Sequence, residues 1–254
     1  MNRSTRLVAV AVAIGWLAVG CGDDSEDASD GSSSTSTTEA TTTDGSATTG
    51  SSAAPGTEPE GDSGADPGEP IEGVVPAGAS LAVIGVGYDD VLNIRSAPGT
   101  DNEVVQTAGP TADGLVATGA ARRLPNSIWF EVTYEGVTGW AGSAFLGYLG
   151  GTDDATAEVL AAAPRPTGDT VRAVGEAVAS AFATTDPESR VVESVAATEG
   201  DVGEVTFDVV GVGDDSVAGY RLHVFTVPEG DGHALRTLER TLLCSRGVSG
   251  ELCV

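Results

Sequence analysis

Arg95 carries the clearest chemical opportunity in this sequence. It stands in LNIRSAPGT, residues 92–100, two places after Asn93 and shortly before a Pro-Gly pair. A guanidinium presents a planar fork of donors that matches a carboxylate. Three aromatic residues, Trp129, Tyr134 and Trp140, follow close together. Their faces are platforms of the kind on which a sugar ring stacks. Two readings of this set stand side by side. In one, Asn93 bonds its own backbone, Pro98-Gly99 turns the chain, and Arg95 pairs with a nearby carboxylate, so the stretch is a corner. In the other, Asn93, Arg95, Trp129, Tyr134 and Trp140 border a shallow groove for a ligand that offers a sugar and a carboxylate.

Residues able to carry catalysis are few. The chain has 2 His and 3 Cys. His223 lies in an alternating apolar run and His233 in the Gly-rich turn EGDGHAL. Nucleophilic catalysis needs a nucleophile, a base and a group that orients the base. Cys244 and Cys253 sit at the far C-terminal end, separated from both His by strand-like sequence. Two His without a ligand cluster do not make a zinc site. The acidic pairs Asp89-Asp90 and Asp214-Asp215 read as solvated turns, with a calcium site the weaker reading. There is no phosphate-binding loop and no Gly-x-Ser-x-Gly elbow. The expectation is a non-enzymatic protein without a cofactor.

Charge narrows the partners. The 254 residues carry a net charge of −26, and all 12 basic residues are Arg. Such a surface has no footprint for nucleic acid and repels anionic lipid headgroups and anionic wall polymers. Attachment to a membrane needs another device, and the first 20 residues supply a candidate. Arg3 and Arg6 precede a 13-residue apolar run, Leu7 to Val19. That run has the length of a signal-peptide core and falls short of the roughly 20 residues a spanning helix needs. LAVGCGDD then resembles a bacterial lipobox, with Leu17 one place further upstream than the usual pattern. On that resemblance residues 1–20 are a lipoprotein signal peptide and Cys21 is the lipidated residue, anchored to the outer face of the cell membrane or envelope. The plainer alternative is an ordinary signal peptide cleaved nearby. Export leaves Cys244 and Cys253 as an even remainder in an oxidising compartment, where a disulfide is the default and free thiols the alternative.

The elements follow from composition and periodicity. Residues 22–70 hold 19 Ser or Thr and 12 Asp or Glu, with no Arg and no aromatic residue. Such a segment buries too little apolar surface to offset its chain entropy, so 21–70 is expected to be a disordered acidic tether. From 71 to 149 short apolar or alternating runs (SLAVIGV, VLNIRS, EVVQTA, GLVATGAA, IWFEVTY, VTGWA) are separated by turn signals. This spacing predicts a small barrel or sandwich. In IWFEVTY, Ile128, Phe130 and Val132 share one face, while Trp129 and Glu131 share a wetter one. Residues 150–167 are expected as a linker in which DDATAEVLAAA makes a short helix. From 168 to 254 the pattern predicts one helix, capped by Asp169 and running toward Thr184, with Val171, Val174, Val178, Ala181 and Phe182 on its apolar face. A four-stranded antiparallel meander follows, the whole being a small α+β domain.

Two blocks also carry a family resemblance. VLNIRSAPGTDNEVV, residues 91–105, and IWFEVTYEGVTGWAGSAFL, residues 128–146, resemble the conserved strings of bacterial SH3 (SH3b) domains. The intervening AGPTADGLVATGAARRLPN departs from the commoner basic, Gly-containing strand of the family. The resemblance implies an SH3-like small β-barrel over 71–149, and peptidoglycan or another wall component as the ligand. On that basis the chain reads as a cell-envelope lipoprotein presenting a non-catalytic SH3b binding module. One alternative is a protein–protein interaction or inhibitor module acting through 168–254. Another is a cryptic cell-wall hydrolase, although the order of Cys and His differs from that of NlpC/P60-type peptidases.

Overall fold

The computed structural model describes residues 66–162 and 164–254. The expected signal peptide over 1–20, Cys21 and the tether up to residue 65 lie outside the described residues. In chain order the strands of the first half are β1 (Glu69–Pro70), β2 (Ser80–Val83), β3 (Leu92–Arg95), β4 (Val104–Ala108), β5 (Leu115–Leu124), β6 (Ser127–Tyr134), β7 (Val137–Gly142) and β8 (Leu146–Asp154). Helix α1 (Thr156–Ala162), β9 (Thr167–Gly168) and helix α2 (Val171–Phe182) follow. The rest is β10 (Arg190–Thr198), β11 (Gly203–Val210), β12 (Val217–Glu229), β13 (Gly232–Cys244), and a small hairpin of β14 (Val248–Ser249) and β15 (Leu252–Cys253). The protein is mainly β, every pairing is antiparallel, and the described residues hold two α-helices.

The strands join in one path, β10-β11-β12-β13-β8-β2-β5-β6-β7-β3-β4. A barrel over 71–149 predicts a ladder that returns on itself. The observed path is open, and its last strand, β4, is an edge with Val104 and Val105 exposed. Two expected boundaries also shift. The tether was expected to run through residue 70, but Glu69 and Pro70 pair with Arg123 and Arg122 of β5. The linker was expected from residue 150, but residues 150–154 continue β8, where Thr152, Asp153 and Asp154 pair with Thr241, Arg240 and Glu239 of β13. Thr152 to Asp154 find their partners in a strand nearly 90 positions later, and the Gly151 N–H donates to the Glu251 carbonyl at 2.7 Å, pairings no local pattern encodes. Because β8 pairs with β2 on one side and β13 on the other, the two halves share one sheet within a single compact unit.

Each half has its own apolar core. In the first, Leu81, Val83, Ile94, Leu115, Val132 and Leu146 are buried, with Phe130, Tyr134, Phe145 and Tyr148 packed against them. In the second, α2 lies on the meander β10–β13, its Val171, Val174, Val178 and Ala179 buried against Phe207, Leu222 and Leu238. The helix was expected to turn Ala181 inward; Ala179 takes that place and Ala181 is exposed. Its cap is Thr170, whose side chain accepts from the Ala173 N–H at 3.1 Å, one position after the expected Asp169. It ends at Phe182, with Ala183 already extended. Gly175 sets how close the helix comes: a Cβ there would lie 2.5 Å from Val205 Cγ1. Cys244 and Cys253 form a disulfide with Cα atoms 5.2 Å apart, tying the terminal hairpin to the end of β13.

A buried ion pair joins the halves. Asp208 of β11 has no exposed surface, and the side chain of Arg221 on β12 is only 12% exposed. Arg221 donates Nε–H to Asp208 Oδ1 and Nη2–H to Oδ2, both at 2.8 Å. The same Nη2 donates to the Val83 carbonyl at 2.8 Å, and the Gly85 N–H donates to Asp208 Oδ2 at 2.8 Å. Ser194 Oγ–H reaches Oδ1 at 3.3 Å. The charge pair of the meander therefore holds the chain that leaves β2. A further backbone bond, Tyr88 N–H to the Glu193 carbonyl at 2.9 Å, fixes the other end of that loop on β10.

Candidate functional site

The loop between β2 and β3 forms one wall of a cleft of about 440 Å³. Gly85 to Gly87 and Asp90 lie on that side, Asn93 and Arg95 of β3 continue it, and Trp129 and Phe145 stand on the strand β6 and the turn before β8. The loop is positioned by the meander through the two bonds just described, Gly85 N–H to Asp208 and Tyr88 N–H to Glu193. Gly85 has φ +63°, a left-handed conformation that glycine adopts without a Cβ penalty.

LNIRSAPGT is both corner and wall. The amide that holds the corner belongs to Asn102, where Asn93 had been expected. Asn102 Nδ2 donates to the Pro98 carbonyl at 2.8 Å, and Gly99 takes φ +117° to make the turn. Asn93 is half-buried and lines the cleft. On the corner reading Arg95 pairs with a carboxylate of the protein; its Nη1 donates instead to the Asn102 carbonyl at 2.7 Å. That bond steadies the guanidinium with a neutral acceptor and leaves its positive charge without an ion pair among the described residues.

The aromatic residues divide. Trp129 lines the cleft, its indole N–H donating to Ser127 Oγ at 2.9 Å. It is only 6% exposed, so the face expected to be wetter is covered at this position. Trp140 pairs in register with both Arg95 and Glu131, yet it is 3% exposed and sits outside the cleft lining. Tyr134 belongs to the opposite face of β6, shared with Phe130 and Val132, and packs against the first core. Alternation along the strand dictates this: positions of equal parity share a face, and Tyr134 has the parity of the core residues. Of the five residues expected to form a groove, Asn93, Arg95 and Trp129 line the cleft together, Trp140 is the cross-strand partner of Arg95 outside the lining, and Tyr134 packs on the core.

Sequence reasoning missed Asp90 and Phe145 as wall residues. Asp90 read as a turn, and its Oδ1 does accept the Val91 N–H at 2.7 Å. Phe145 read as the closing residue of a family string. The Gly85–Gly87 segment gave one legible signal, glycines spaced through an apolar run a few residues before Asn93 and Arg95.

Both His sit away from the cleft. His233 Nε2 lies 2.9 Å from Glu199 Oε2, and His223 lies between Glu204 and Glu239 at 3.4 and 3.9 Å. Cys244 and Cys253 are consumed in the disulfide. Asp214 accepts from the Ser216 and Val217 N–H groups at 2.8 Å each, the geometry of a turn. Those bonds hold its carboxyl below the usual carboxylate range. Among the described residues no His, Cys, Asp and Glu converge as a metal site, and no helix is long and apolar enough to cross a membrane. No protein-family model matches the chain, and comparison with curated proteins and with solved structures finds no match.

Proposed function

We propose that this chain is an exported cell-envelope lipoprotein, anchored by lipid on Cys21, that presents an SH3b-like module for binding peptidoglycan. The observation that carries the reading is the cleft of about 440 Å³ in which Arg95, Asn93 and Trp129 meet. A guanidinium braced by a backbone carbonyl offers its remaining donors to a carboxylate. Trp129 and Phe145 supply apolar wall for a sugar ring or an aliphatic stem. Peptidoglycan presents both kinds of group. The resemblance of 91–105 and 128–146 to SH3b strings supports the same ligand class, with the first half taken as a variant of that small barrel. The work is binding: the described cysteines are joined to each other, which leaves neither as a thiolate nucleophile.

The test is sedimentation of the full, unlipidated chain with purified peptidoglycan at low and high salt. The whole chain is used because Asp208 and Glu193 hold the cleft loop from the second half. Saturable binding is expected, lost in Trp129→Ala and in the cleft-filling Asn93→Phe, each checked for native circular dichroism. Soluble protein at every load of wall material overturns the reading. For the anchor, Cys21→Ala is expected to move the protein from the membrane fraction to the soluble one.

A further inference from the structure

We infer that the ligand of this cleft is a short acidic peptide with two carboxylates, gripped by Arg95 on one side of Phe145 and by Arg190 on the other. The meander then supplies half of the site. The inference rests on the wall-binding reading above and adds to it the charge of the ligand and a second grip.

A second cavity of about 430 Å³ opens beside the first. Ala144 lines both. Phe145 belongs to the first and Arg190, the first residue of β10, to the second. The two residues touch: Arg190 Cζ stands 5.2 Å from the centroid of the Phe145 ring. The guanidinium also rests on Gly85, where a Cβ would come within 2.5 Å of Arg190 Nη2. Arg190 therefore marks the boundary between the cavities, over the Phe145 ring on one side and against Gly85 on the other.

Arg190 makes no ion pair among the described residues. Ten of the 12 Arg fall among the described residues, since only Arg3 and Arg6 lie before residue 66. Five of the ten, Arg165, Arg172, Arg221, Arg240 and Arg246, make ion pairs. Arg95 and Arg190 are not among them. In a chain of net charge −26, carboxylates are abundant and cations scarce. Arg95 lines the first cavity and Arg190 the second, each outside any ion pair among the described residues, and Glu188 and Asp214 share the second lining; the two guanidinium groups are the places where an external anion meets attraction. A guanidinium held over an aromatic ring keeps N–H donors for a charge-assisted bond to a carboxylate.

The same charges select the kind of anion. A long polyanion would be repelled by the protein as a whole, in proportion to its charge. A ligand with two carboxylates asks only for two forks. Asp90 on the first wall adds a place for an amine, which a peptide carries and a phosphate polymer lacks.

The experiment is a calorimetric titration of the full, unlipidated chain with soluble muropeptides released from peptidoglycan. A parallel sample has its peptide carboxylates converted to amides. Arg190→Gln and amidation are each expected to weaken binding about tenfold, as loss of a charge-assisted bond does. Arg190→Lys should fall in between, and the distant, exposed Arg236→Gln should bind as the parent does. Arg190 is itself exposed, and an unchanged urea midpoint verifies that its variants fold. Tight binding that ignores both Arg190→Gln and amidation overturns this inference and leaves the wall reading standing. No binding of parent protein to muropeptides or to intact peptidoglycan overturns both.

Discussion

Replacing Asp208 by Ala removes the carboxylate that pairs with Arg221 inside the protein. Four donors converge on that carboxylate: Arg221 Nε and Nη2, the Gly85 N–H and the Ser194 hydroxyl. Asp208 is fully buried and the Arg221 side chain is 12% exposed, so solvent does little to screen the pair. Breaking a buried pair by deleting one partner costs about 3–5 kcal/mol, because the surviving charge stays buried without compensation. That is a large part of the roughly 5–15 kcal/mol by which a domain is stable. With a urea dependence of about 2 kcal/mol per molar, the unfolding midpoint should fall by about 1.5–2.5 M. Asp208→Ala with Arg221→Met together should recover much of the loss, since an apolar pair leaves no orphaned charge. The assay is urea unfolding of the full chain followed by tryptophan fluorescence, which reports Trp129 and Trp140. A single-mutant cost below about 1 kcal/mol, or a double mutant no better than the single one, would refute the reasoning.

Two further outcomes are expected. The Tyr148 hydroxyl is buried and without a hydrogen-bond partner among the described residues, and burial pushes its pKa above the ordinary value near 10. The folded-state pKa is raised, so the contribution is intact below about pH 10 and lost as pH rises through the folded value. Alkaline unfolding should therefore shift to higher pH in Tyr148→Phe, with stability at pH 7 changed by less than about 1 kcal/mol; a chemical-denaturation series from pH 7 to 11 reads both. The disulfide closes a short loop, Cys244 and Cys253 being 9 positions apart. Replacing both by Ala should cost about 2.5–3 kcal/mol, seen as a lower thermal midpoint, while leaving the cleft residues untouched.

Secondary structure was largely legible because it depends on local pattern. Alternation in IWFEVTY and the dense valines of VVESVAAT and EVTFDVVGV mark strands wherever they end up. The helix at 171–182 followed from valines at helical spacing, although its cap and its inner face each slipped by a residue or two. What alternation implies was less fully used: parity alone places Tyr134 with Phe130 and Val132, on the core side of β6. Asp208 left a trace as well, a single carboxylate inside VTFDVV, but nothing local names Arg221 as its partner.

By itself the sequence determined most of the longer strands and the helix at 171–182, the acidic character, the pairing of Cys244 with Cys253 and the presence of Arg95 beside a Pro-Gly turn. These rest on periodicity, composition and small loops, all of which act over a few residues. Only the tertiary structure decided that β8 continues through residue 154 to join both halves in one sheet, and that Asp208 of the second half fixes the loop of the first. It also decided which aromatic residues meet Arg95, and that Arg190 comes to rest on Phe145, 45 positions earlier in the chain. Those arrangements depend on contacts between distant segments, whose cost in chain entropy is met only when the whole sheet is assembled.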